Sequence, residues 1–464
     1  MHPEVIKAIT AVVGAENTLT SPEDRWTYAY DATQEAQMPE VVVFPGSAAE
    51  ISRILRLANE HLFPVTPRGA GTGRSGGSVP IEGGVVLVLT RLNRILEISR
   101  DDLVAVVEPG VILGRLKREV EAQGLYYPPD PASAEYCTIG GNVAECAGGA
   151  VAVQWGVTRD YVLGLTVVLP TGEIIEAGTR TMKGVVGYDL TRLFLGSEGT
   201  LGVITGIILR LVAKPAARQT LAAGFGTLTA AAQAASQILI AGLAPTALEF
   251  MDRVTLNCVR ERLPFEVPAA ATVLLLVAVE GHSQDVEERA AAIARFCETQ
   301  GARPVLRART AAEAEDLWQA RKVISPALLK VKPHKVSEDV AVPLGAIPAL
   351  IDGLKKISRR RGLLIPCYGH AGDGNIHVNV LYDRKVEAER QAVNPTVREI
   401  FALTRQLRGT LSGEHGIGLT KAPYLGMELS EAAIALQRRL KRAFDPNHIM
   451  NPGKIFPERA NAGH

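Results

Sequence analysis

The sequence has few cysteines and no closely spaced pair of them. Its five cysteines, Cys137, Cys146, Cys258, Cys297 and Cys367, are scattered along the chain without a CxxC motif. This spacing argues against an iron–sulfur cluster or a zinc ribbon built from this chain. An odd number of cysteines without an export signal fits reduced thiols. Any redox cofactor must therefore be held without cysteine ligands.

The sequence also lacks a charge imbalance and an apolar run of membrane length. A formal net charge of +1 gives no reason to expect nucleic acid or an anionic membrane as the main partner. The longest apolar run, residues 269–279, falls short of the ~18 residues that a membrane span needs. The opening MHPEVIKAITAVVG has no basic region followed by a signal-type apolar core. We expect a cytoplasmic protein, with a peripheral place at the inner membrane through a partner as the alternative.

The N-terminal part of the sequence has the pattern of an α/β domain. With 464 residues, 47% of them hydrophobic, the chain is long enough for two or three domains. Residues 40–44 (EVVVF) predict a strand. Ser47 and Glu50 have capping-box spacing ahead of apolar residues at helical intervals, which predicts a helix. Residues 63–66 predict a second strand, and strand, helix, strand is typical of an α/β domain.

The most glycine-dense stretch of the chain follows, at residues 67–77 (PRGAGTGRSGG). Glycines let backbone N–H groups crowd around an anion, and Thr72 and Ser75 add hydroxyl donors. The stretch therefore favours a phosphate-bearing cofactor. A flexible linker is the alternative, against which the flanking strands argue.

The same stretch has the residue spacing of the nicotinamide-binding fingerprint but not the helix that should follow it. Gly71, Gly73 and Gly76 have the GxGxxG spacing, but that fingerprint works by opening a helix onto the pyrophosphate. Here Ser-Val-Pro leads instead into an apolar strand predicted at residues 84–89. This context argues against a nicotinamide dinucleotide.

Two further glycine-rich segments suit contact with a flat ring. Residues 138–149 (TIGGNVAECAGG) carry almost no charge and let a bulky ring approach the backbone. Residues 187–202 (GYDLTRLFLGSEGTLG) lead into another predicted strand. Around them we predict strands at 104–107, 161–169, 173–176 and 203–212, with a hairpin between the second and third, and a helix at 111–123.

A polar stretch, residues 369–379 (GHAGDGNIHVN), lies between two apolar runs. If it forms strand, loop and strand, His377 and Asn379 share a face, because side chains alternate along a strand. Gly372 and Gly374 supply turns that would bring His370 beside them.

A second cluster, Gly413-Glu-His-Gly416, adds a carboxylate and an imidazole. His370, His377 and Glu414 make a two-histidine, one-carboxylate set that suits zinc, iron or manganese. A polar loop without a metal fits the same residues, because the spacing of the two histidines matches no zinc-finger rule. Sequence spacing leaves both interpretations open.

Together, residues 67–77, 128–149 and 187–204 resemble the FAD-binding domain of the vanillyl-alcohol-oxidase-like flavoproteins. The motifs GHAGDGNIHVN, SGEHGIG and FDPNHIMNPGKIF resemble the branch that contains D-lactate dehydrogenase, D-2-hydroxyglutarate dehydrogenase and the flavin subunit of glycolate oxidase. The resemblance spans residues 40–456. It implies an α+β fold, in which a two-part α/β FAD-binding domain carries an inserted α+β cap domain with an antiparallel sheet.

The implied boundaries are residues 1–214 for the FAD-binding domain, 215–402 for the cap and 403–464 for a segment that returns to the FAD-binding domain. For the cap we predict helices at 230–241, 283–299 and 350–361, strands at 247–250, 272–279 and 339–342, and an exposed helix at 311–320.

FAD is the cofactor that the resemblance implies, and we expect it to be bound non-covalently. The first loop contains no histidine to form a covalent link, and Cys146 in the second loop fits a small packing residue. The implied cofactor-binding residues are Arg68, Gly69, Gly71, Thr72, Gly76, Gly77, Pro129, Asp130, Ser133, Thr138, Gly140, Gly141, Asn142, Ala144, Gly148, Thr158, Tyr161, Val162, Glu198, Gly199, Gly202, Ile204 and Asn451.

The resemblance also implies a metal and a base. In the family a divalent metal is bound by two histidines and a glutamate, carried over here as His370, His377 and Glu414, with Zn, Mn or Fe as the ion. Such a cation would polarise the substrate hydroxyl and lower its pKa. His415 is then the expected general base, because an ordinary histidine titrates near working pH.

Substrate contacts are implied in the same way. Arg321, in the motif WQAR, matches the family arginine that pairs with the substrate carboxylate; a solvated helix arginine is the alternative. Asn379 is expected to bind the same end of the substrate. Lys335 lies near the place of a lysine of the 2-hydroxyglutarate branch, but counting back from Pro343 puts Ser337 in that place. This departure favours a short monocarboxylate.

These residues predict FAD-dependent oxidation of a short D-2-hydroxy acid, with D-lactate or glycolate favoured. The expected acceptor is an electron-transfer flavoprotein, an iron–sulfur subunit or a quinone; a homodimer is the assembly to test, and nucleic acid is not an expected partner. The alternatives are D-2-hydroxyglutarate dehydrogenase, an alkyl-dihydroxyacetone-phosphate synthase-like enzyme, a nicotinamide dehydrogenase and a non-catalytic FAD-stabilised subunit of a multi-subunit oxidase. The last class would be expected to lose part of the metal set, which is complete here.

Overall fold

The computed structural model describes residues 1–33 and 35–456. The chain divides into two compact units. Unit 1 comprises Met1–Ala147, Val157–Lys214 and Glu414–His464, and unit 2 comprises Gly148–Gly156 and Pro215–Gly413. Residues 457–464 of the expected C-terminal segment lie outside the described residues.

The elements of both units follow in chain order. The helices are α1 (Pro3–Val13), α2 (Pro22–Trp26), α3 (Ala48–His61), α4 (Leu113–Glu121), α5 (Ile139–Glu145), α6 (Ala152–Trp155), α7 (Leu190–Phe194), α8 (Leu228–Ile240), α9 (Arg253–Val259), α10 (Ser283–Thr299), α11 (Ala311–Lys322), α12 (Ile324–Ala327), α13 (Ile347–Arg361), α14 (Glu387–Gln406) and α15 (Glu431–Phe444). The strands are β1 (Thr18–Leu19), β2 (Val41–Val43), β3 (Val65–Arg68), β4 (Val85–Val88), β5 (Ile95–Ser99), β6 (Val104–Val107), β7 (Leu125–Tyr126), β8 (Val162–Val168), β9 (Ile174–Gly178), β10 (Val203–Arg210), β11 (Val212–Ala213), β12 (Ala217–Phe225), β13 (Ala247–Met251), β14 (Val273–Gly281), β15 (Val305–Arg307), β16 (His334–Ala341), β17 (Cys367–His370) and β18 (Asn375–Tyr382).

Unit 1 contains two main sheets. The first has the order β1-β2-β4-β3, with β2, β4 and β3 parallel, and its apolar side packs against α1 and α3. The second is antiparallel, has the order β5-β6-β10-β8-β9 and packs against α4 and α5. A short pair, β7 and β11, accompanies it. The predicted two-part architecture is confirmed.

The local signals in unit 1 give the predicted elements. The Ser47 side chain accepts a hydrogen bond from the backbone N–H of Glu50, and α3 begins at the next residue, as the capping pattern predicts. Strands β8 and β9 form the predicted hairpin. All of residues 69–84 are described and none is helical, so the helix that the nicotinamide fingerprint requires is absent there.

Unit 2 is built on one sheet of seven strands in the order β15-β12-β14-β13-β17-β18-β16, in which every neighbouring pair is antiparallel. Helices α9, α11 and α12 pack on the face that carries Met251 and Tyr368. The predicted antiparallel sheet of the cap is therefore confirmed.

Helix α11 corrects one prediction. The sequence predicts an exposed helix at residues 311–320, and the helix forms, but Leu317, Trp318 and Ala320 are buried. Its first turns are rich in alanine and acids, but Leu317 and Ala320 near its end belong to the apolar cluster on the sheet.

Among the described residues, the structure has no helix that is both long enough and apolar enough to cross a membrane.

Asp252 provides a test of how unit 2 holds β17 in place. Its Oδ1 accepts from the Thr255 N–H at 2.9 Å and caps α9, and its Oδ2 accepts from the Cys367 N–H at 2.8 Å, where β17 begins. Asp252→Ala leaves both donors without this acceptor, so we expect a loss of about 1–3 kcal/mol in the free energy of unfolding, measured by urea denaturation. The control Asp352→Ala, an exposed change on α13, should stay within about 0.5 kcal/mol of the parent. Equal effects from the two variants would contradict the capping role.

Candidate functional site

One face of the unit 2 sheet gathers the polar side chains of the GHAGDGNIHVN stretch. Strand β17 ends at His370 and β18 begins at Asn375, so the predicted strand, loop and strand is confirmed. His377 and Asn379 lie on the same face of β18, as alternation requires. The rings of His370 and His377 are 5.1 Å apart between centroids and nearly perpendicular.

A buried glutamate completes this group. Glu249 lies on β13 directly opposite His370 on β17 and is fully buried. Its Oε1 is hydrogen-bonded to His370 Nδ1, and its Oε2 accepts from Arg321 Nε at 2.7 Å and forms an ion pair with Arg321 Nη2 at 2.6 Å. Burial by itself would raise the pKa of Glu249, but its contacts with the His370 and Arg321 side chains outweigh this effect and lower the pKa to about 2. The carboxylate is therefore ionised.

Glu249 was not among the residues predicted from the sequence. The available signal was a single acid inside an otherwise apolar strand, Ala-Leu-Glu-Phe-Met. Such an acid must be paired when it is buried. Its partners could not be named, because Arg321 and His370 are 72 and 121 positions away along the chain.

Arg321 is part of this cluster. It lies in the last turn of α11, its residue is 9% exposed, and its guanidinium stacks 4.6 Å from the centroid of the Tyr368 ring. The same Tyr368 ring is 5.1 Å from the ring of His377. The alternative of a solvated helix arginine is therefore wrong.

Three more predicted residues lie along the β16–β18 pair. Asn379, opposite Ser337, is fully buried; its Oδ1 accepts from Ser337 Oγ at 3.0 Å and its Nδ2 donates to the His377 carbonyl at 3.3 Å. Lys335 shares the face, and its Nζ donates to the carbonyl of Ser325 at 2.7 Å. The Lys335 amine is therefore already bound by Ser325, near the start of β16.

The chain leaves unit 2 immediately before Glu414. The N–H of Gly413 donates to the carbonyl oxygen of Asp339 at 2.9 Å and to its Oδ2 at 3.0 Å. Asp339 lies directly opposite His377 across the strand pair. Unit 2 therefore ends at a residue anchored beside the strand of His377, and Glu414 and His415 are the first two residues of the final segment of unit 1.

Within unit 1, Glu198 holds the backbone that follows His415. Its carboxylate accepts from the N–H groups of Ile417 and Gly418, both at 2.7 Å. Gly416 has φ +83°, and a Cβ there would lie 2.3 Å from Glu145 Oε2, so only glycine fits. Burial raises the pKa of Glu198 to about 7, against the lowering effect of the two N–H groups.

The glycine-rich segments of unit 1 pack directly on one another. A Cβ on Gly69, in the first loop, would lie 2.2 Å from the hydroxyl oxygen of Thr138, which caps α5 in the second segment. Asn451 Nδ2 donates to the carbonyls of Gly77 in the first loop and Glu198 in the third segment, both at 2.7 Å. The three segments and the C-terminal motif thus meet around these contacts.

Comparison with known proteins agrees with this architecture. Residues 39–178 match the FAD binding domain family, and residues 214–455 match the family of FAD linked oxidases, C-terminal domain. The chain belongs to the FAD-linked oxidases. Members of this family are oxidoreductases, and the expectations of an enzyme and of FAD as cofactor are confirmed.

Three relatives match this FAD-linked oxidase over nearly their whole length. The glycolate oxidase subunit GlcD of Bacillus subtilis is 43% identical over 98% of this chain and 97% of its own. The D-lactate dehydrogenase of Anaerostipes hadrus is 36% identical over 98% of this chain and 97% of its own. The D-2-hydroxyglutarate dehydrogenase of Stutzerimonas stutzeri is 34% identical over 98% of this chain and 99% of its own.

Solved structures confirm the fold. That of p-cresol methylhydroxylase superposes with a TM-score of 0.82, covering 99% of this chain and 98% of that one at 17% identity. That of 4-ethylphenol oxidase from Gulosibacter chungangensis gives a TM-score of 0.78 over 98% and 97% at 23% identity. At these identities the likeness shows the fold alone.

The first loop of the FAD-linked oxidase fits a phosphate group. Gly71 and Gly76 have φ +70° and +81°, which glycine adopts without strain. Ser75 is fully buried, and its Oγ has no hydrogen-bond partner among the described residues. A buried hydroxyl without a partner is costly unless a ligand supplies one. A phosphate oxygen would accept its hydrogen bond.

The second segment fits a ligand with polar ring atoms. Asn142, on α5, is 5% exposed, and no described residue accepts a hydrogen bond from its Nδ2. The isoalloxazine of FAD carries carbonyl and nitrogen acceptors along one edge, which would satisfy such a donor. Of the predicted cofactor-binding residues, all except Gly148 lie in unit 1.

Glu198 gives this enzyme a specific pH dependence. Because the pKa of Glu198 rises from 4.5 to about 7 on folding, the folded state holds the proton more tightly, and stability falls as pH rises through this window. The loss should be on the order of 3 kcal/mol between about pH 5 and about pH 8. In Glu198→Gln this component should disappear, measured as the free energy of unfolding at both pH values. The control Glu119→Gln, at a partly exposed glutamate of α4, should keep the parent's pH dependence, and an unchanged dependence in Glu198→Gln would refute the assignment.

Proposed function

We propose that this enzyme oxidises a short D-2-hydroxy acid, with D-lactate or glycolate as the preferred substrate, to the 2-oxo acid. One observation carries the proposal: Arg321, a carboxylate-binding group, lies on the same sheet face as the paired imidazoles of His370 and His377. A 2-hydroxy acid presents a carboxylate and a hydroxyl on adjacent carbons. The names of near-full-length relatives, a glycolate oxidase subunit and a D-lactate dehydrogenase, support the same substrate class.

FAD, when bound, takes two electrons from the substrate carbon as a hydride, which no side chain can do. The residues that would hold it are the predicted contacts of the three glycine-rich segments, with the Ser75 hydroxyl and the Asn142 amide as the buried donors that require a ligand. The chain's part is to keep these segments packed together, which Asn451 does through its two carbonyl contacts.

A divalent metal, Zn, Mn or Fe, would be held by His370, His377 and Glu414. The chemistry of the donors fits: two imidazoles and one carboxylate suit these ions and leave coordination positions open. The hydrogen bond of His370 Nδ1 to the Glu249 carboxylate would place the lone pair of a neutral ring on Nε2, the nitrogen that would bind the metal. The ion would supply a lower pKa for the substrate hydroxyl.

The chain's own groups would then bind the substrate and move its proton. Arg321 binds the carboxylate through the edge of its guanidinium that Glu249 does not use. Asn379 binds the same end of the substrate. His415, next to Glu414 in sequence, is the base that takes the hydroxyl proton.

D-2-hydroxyglutarate is the alternative substrate, which the name of one relative supports. A second substrate carboxylate would need a further cation. Ser337 occupies the position where such a cation is expected, and Lys335 Nζ donates to Ser325. These contacts favour the monocarboxylate.

Electrons would leave through a partner. Two relatives are named as subunits of glycolate oxidase, which supports association with other subunits and transfer to an iron–sulfur subunit, an electron-transfer flavoprotein or a quinone.

The substrate is tested by anaerobic reduction of the FAD-loaded protein. D-Lactate, L-lactate, glycolate and D-2-hydroxyglutarate are added separately while the visible flavin band is recorded, before and after treatment with a chelator. We expect D-lactate or glycolate to bleach the band, chelation to slow the bleaching, and Zn²⁺ or Mn²⁺ to restore it. Bleaching by D-2-hydroxyglutarate alone would support the alternative. A protein that binds FAD and is bleached by none of the acids would refute the proposed reaction.

Arg321→Lys tests the carboxylate contact. Lysine keeps the charge but lacks the planar two-pronged donor, so we expect kcat/KM to fall about 10- to 100-fold, mostly through KM, as the loss of charged hydrogen bonds of ~1.5–3 kcal/mol requires. The matched control is Arg289→Lys, a partly buried arginine of unit 2 that donates to the carbonyls of Ala244 and Glu280. Its KM should stay at the parent value. An unchanged KM in Arg321→Lys would remove Arg321 from the substrate site.

A further inference from the structure

Glu249 is a buried charge that no step of the proposed reaction uses. It lies on β13, a central strand flanked by β14 and β17, and it is fully buried. A carboxylate removed from water is tolerated only when it is paired and hydrogen-bonded. Both of its partners, His370 and Arg321, belong to the proposed site. The carboxylate therefore has a role toward that site.

The first contact determines which nitrogen of His370 carries the proton. Glu249 Oε1 accepts, so the proton of the neutral ring lies on Nδ1 and the lone pair lies on Nε2. A metal binds the lone pair of a neutral imidazole, and a carboxylate on the opposite nitrogen keeps the ring in this tautomer and orientation. Glu249 thus prepares His370 as a ligand.

The second contact orients Arg321. Glu249 Oε2 accepts from Nε at 2.7 Å and lies 2.6 Å from Nη2, so it occupies one edge of the guanidinium. No described residue accepts a hydrogen bond from Nη1. The stacking of the guanidinium on Tyr368 restrains its plane. The outer edge, with Nη1 and the second hydrogen of Nη2, is left to bind a carboxylate in two-pronged fashion.

We propose that Glu249 is a positioning residue that sets the spacing between the metal ligand His370 and the substrate clamp Arg321. This inference rests on the proposed function. One rigid carboxylate on a central strand binds both groups, so the places for the substrate hydroxyl and carboxylate are set together.

Metal affinity is the direct test. FAD-loaded, metal-stripped full-length protein is titrated with Zn²⁺ and with Mn²⁺ by calorimetry, and the parent is compared with Glu249→Gln. We expect binding to weaken about 10- to 100-fold in the variant, as for other outer-shell partners of metal-bound histidines. The control is Glu280→Gln, a buried acid on β14 of the same sheet that accepts from Trp155 Nε1. Its metal affinity should equal the parent's.

Steady-state kinetics provide the second readout. Because Arg321 loses the carboxylate that orients it, Glu249→Gln should raise KM for the hydroxy acid even at saturating metal. The control Glu280→Gln, which changes a buried acid elsewhere in the sheet, should leave KM unchanged. Glu249→Asp keeps the charge but shortens the reach by one methylene. If Glu249→Gln does not fold, Glu249→Asp is expected to fold and to show the same weakening of metal binding.

The outcomes separate the two claims. Parent protein that binds metal, with unchanged affinity in folded Glu249→Gln, would overturn the positioning role and leave the proposed function intact. Parent protein that binds neither metal would overturn the metal-assisted function, and with it this inference. Weakened metal binding in the Glu249 variants, with normal binding in Glu280→Gln, would support both.

Discussion

A fully buried carboxylate needs compensating charge and hydrogen bonds, and Glu249 imposes this requirement on unit 2. Burial raises the pKa of this group, but the contacts with His370 and Arg321 outweigh that effect and lower the pKa to about 2. The requirement is met by Arg321 from α11 and His370 from β17. Two elements far apart in sequence are therefore tied to a central strand of the sheet. The proposed substrate and metal groups are placed by this charge balance.

The antiparallel sheet supplies the second constraint. In paired strands, residues that lie directly opposite each other share a face. Glu249 opposite His370, Tyr368 opposite His377 and Asp339 opposite His377 therefore point the same way. A shift of one residue in any pair would send these groups to the opposite face. The register of β13, β17, β18 and β16 therefore determines which side chains meet on the face of the proposed site.

In unit 1, the glycine-rich segments are brought together by close backbone packing. A Cβ on Gly69 would clash with the Thr138 side chain, and the φ of +83° at Gly416 would strain any other residue. Buried polar groups then join the segments: Glu198 binds the backbone after His415, and Asn451 binds two of the glycine-rich segments. The cost of burying Glu198, visible in its raised pKa, is balanced in part by the N–H groups that it orders.

Local pattern was sufficient for most elements. Capping at Ser47, the strand–loop–strand around Gly372 and Gly374, and the absence of a helix after the first glycine loop depend on neighbours within a few residues, and the structure agrees with each. The ordered motifs also determined the family. What the sequence left undecided depends on distant contacts: that Leu317, Trp318, Ala320 and Arg321 of α11 are buried, and that Glu249 binds both Arg321 and His370. Burial and charge pairing arise only when strands and helices pack, so tertiary structure alone decided them.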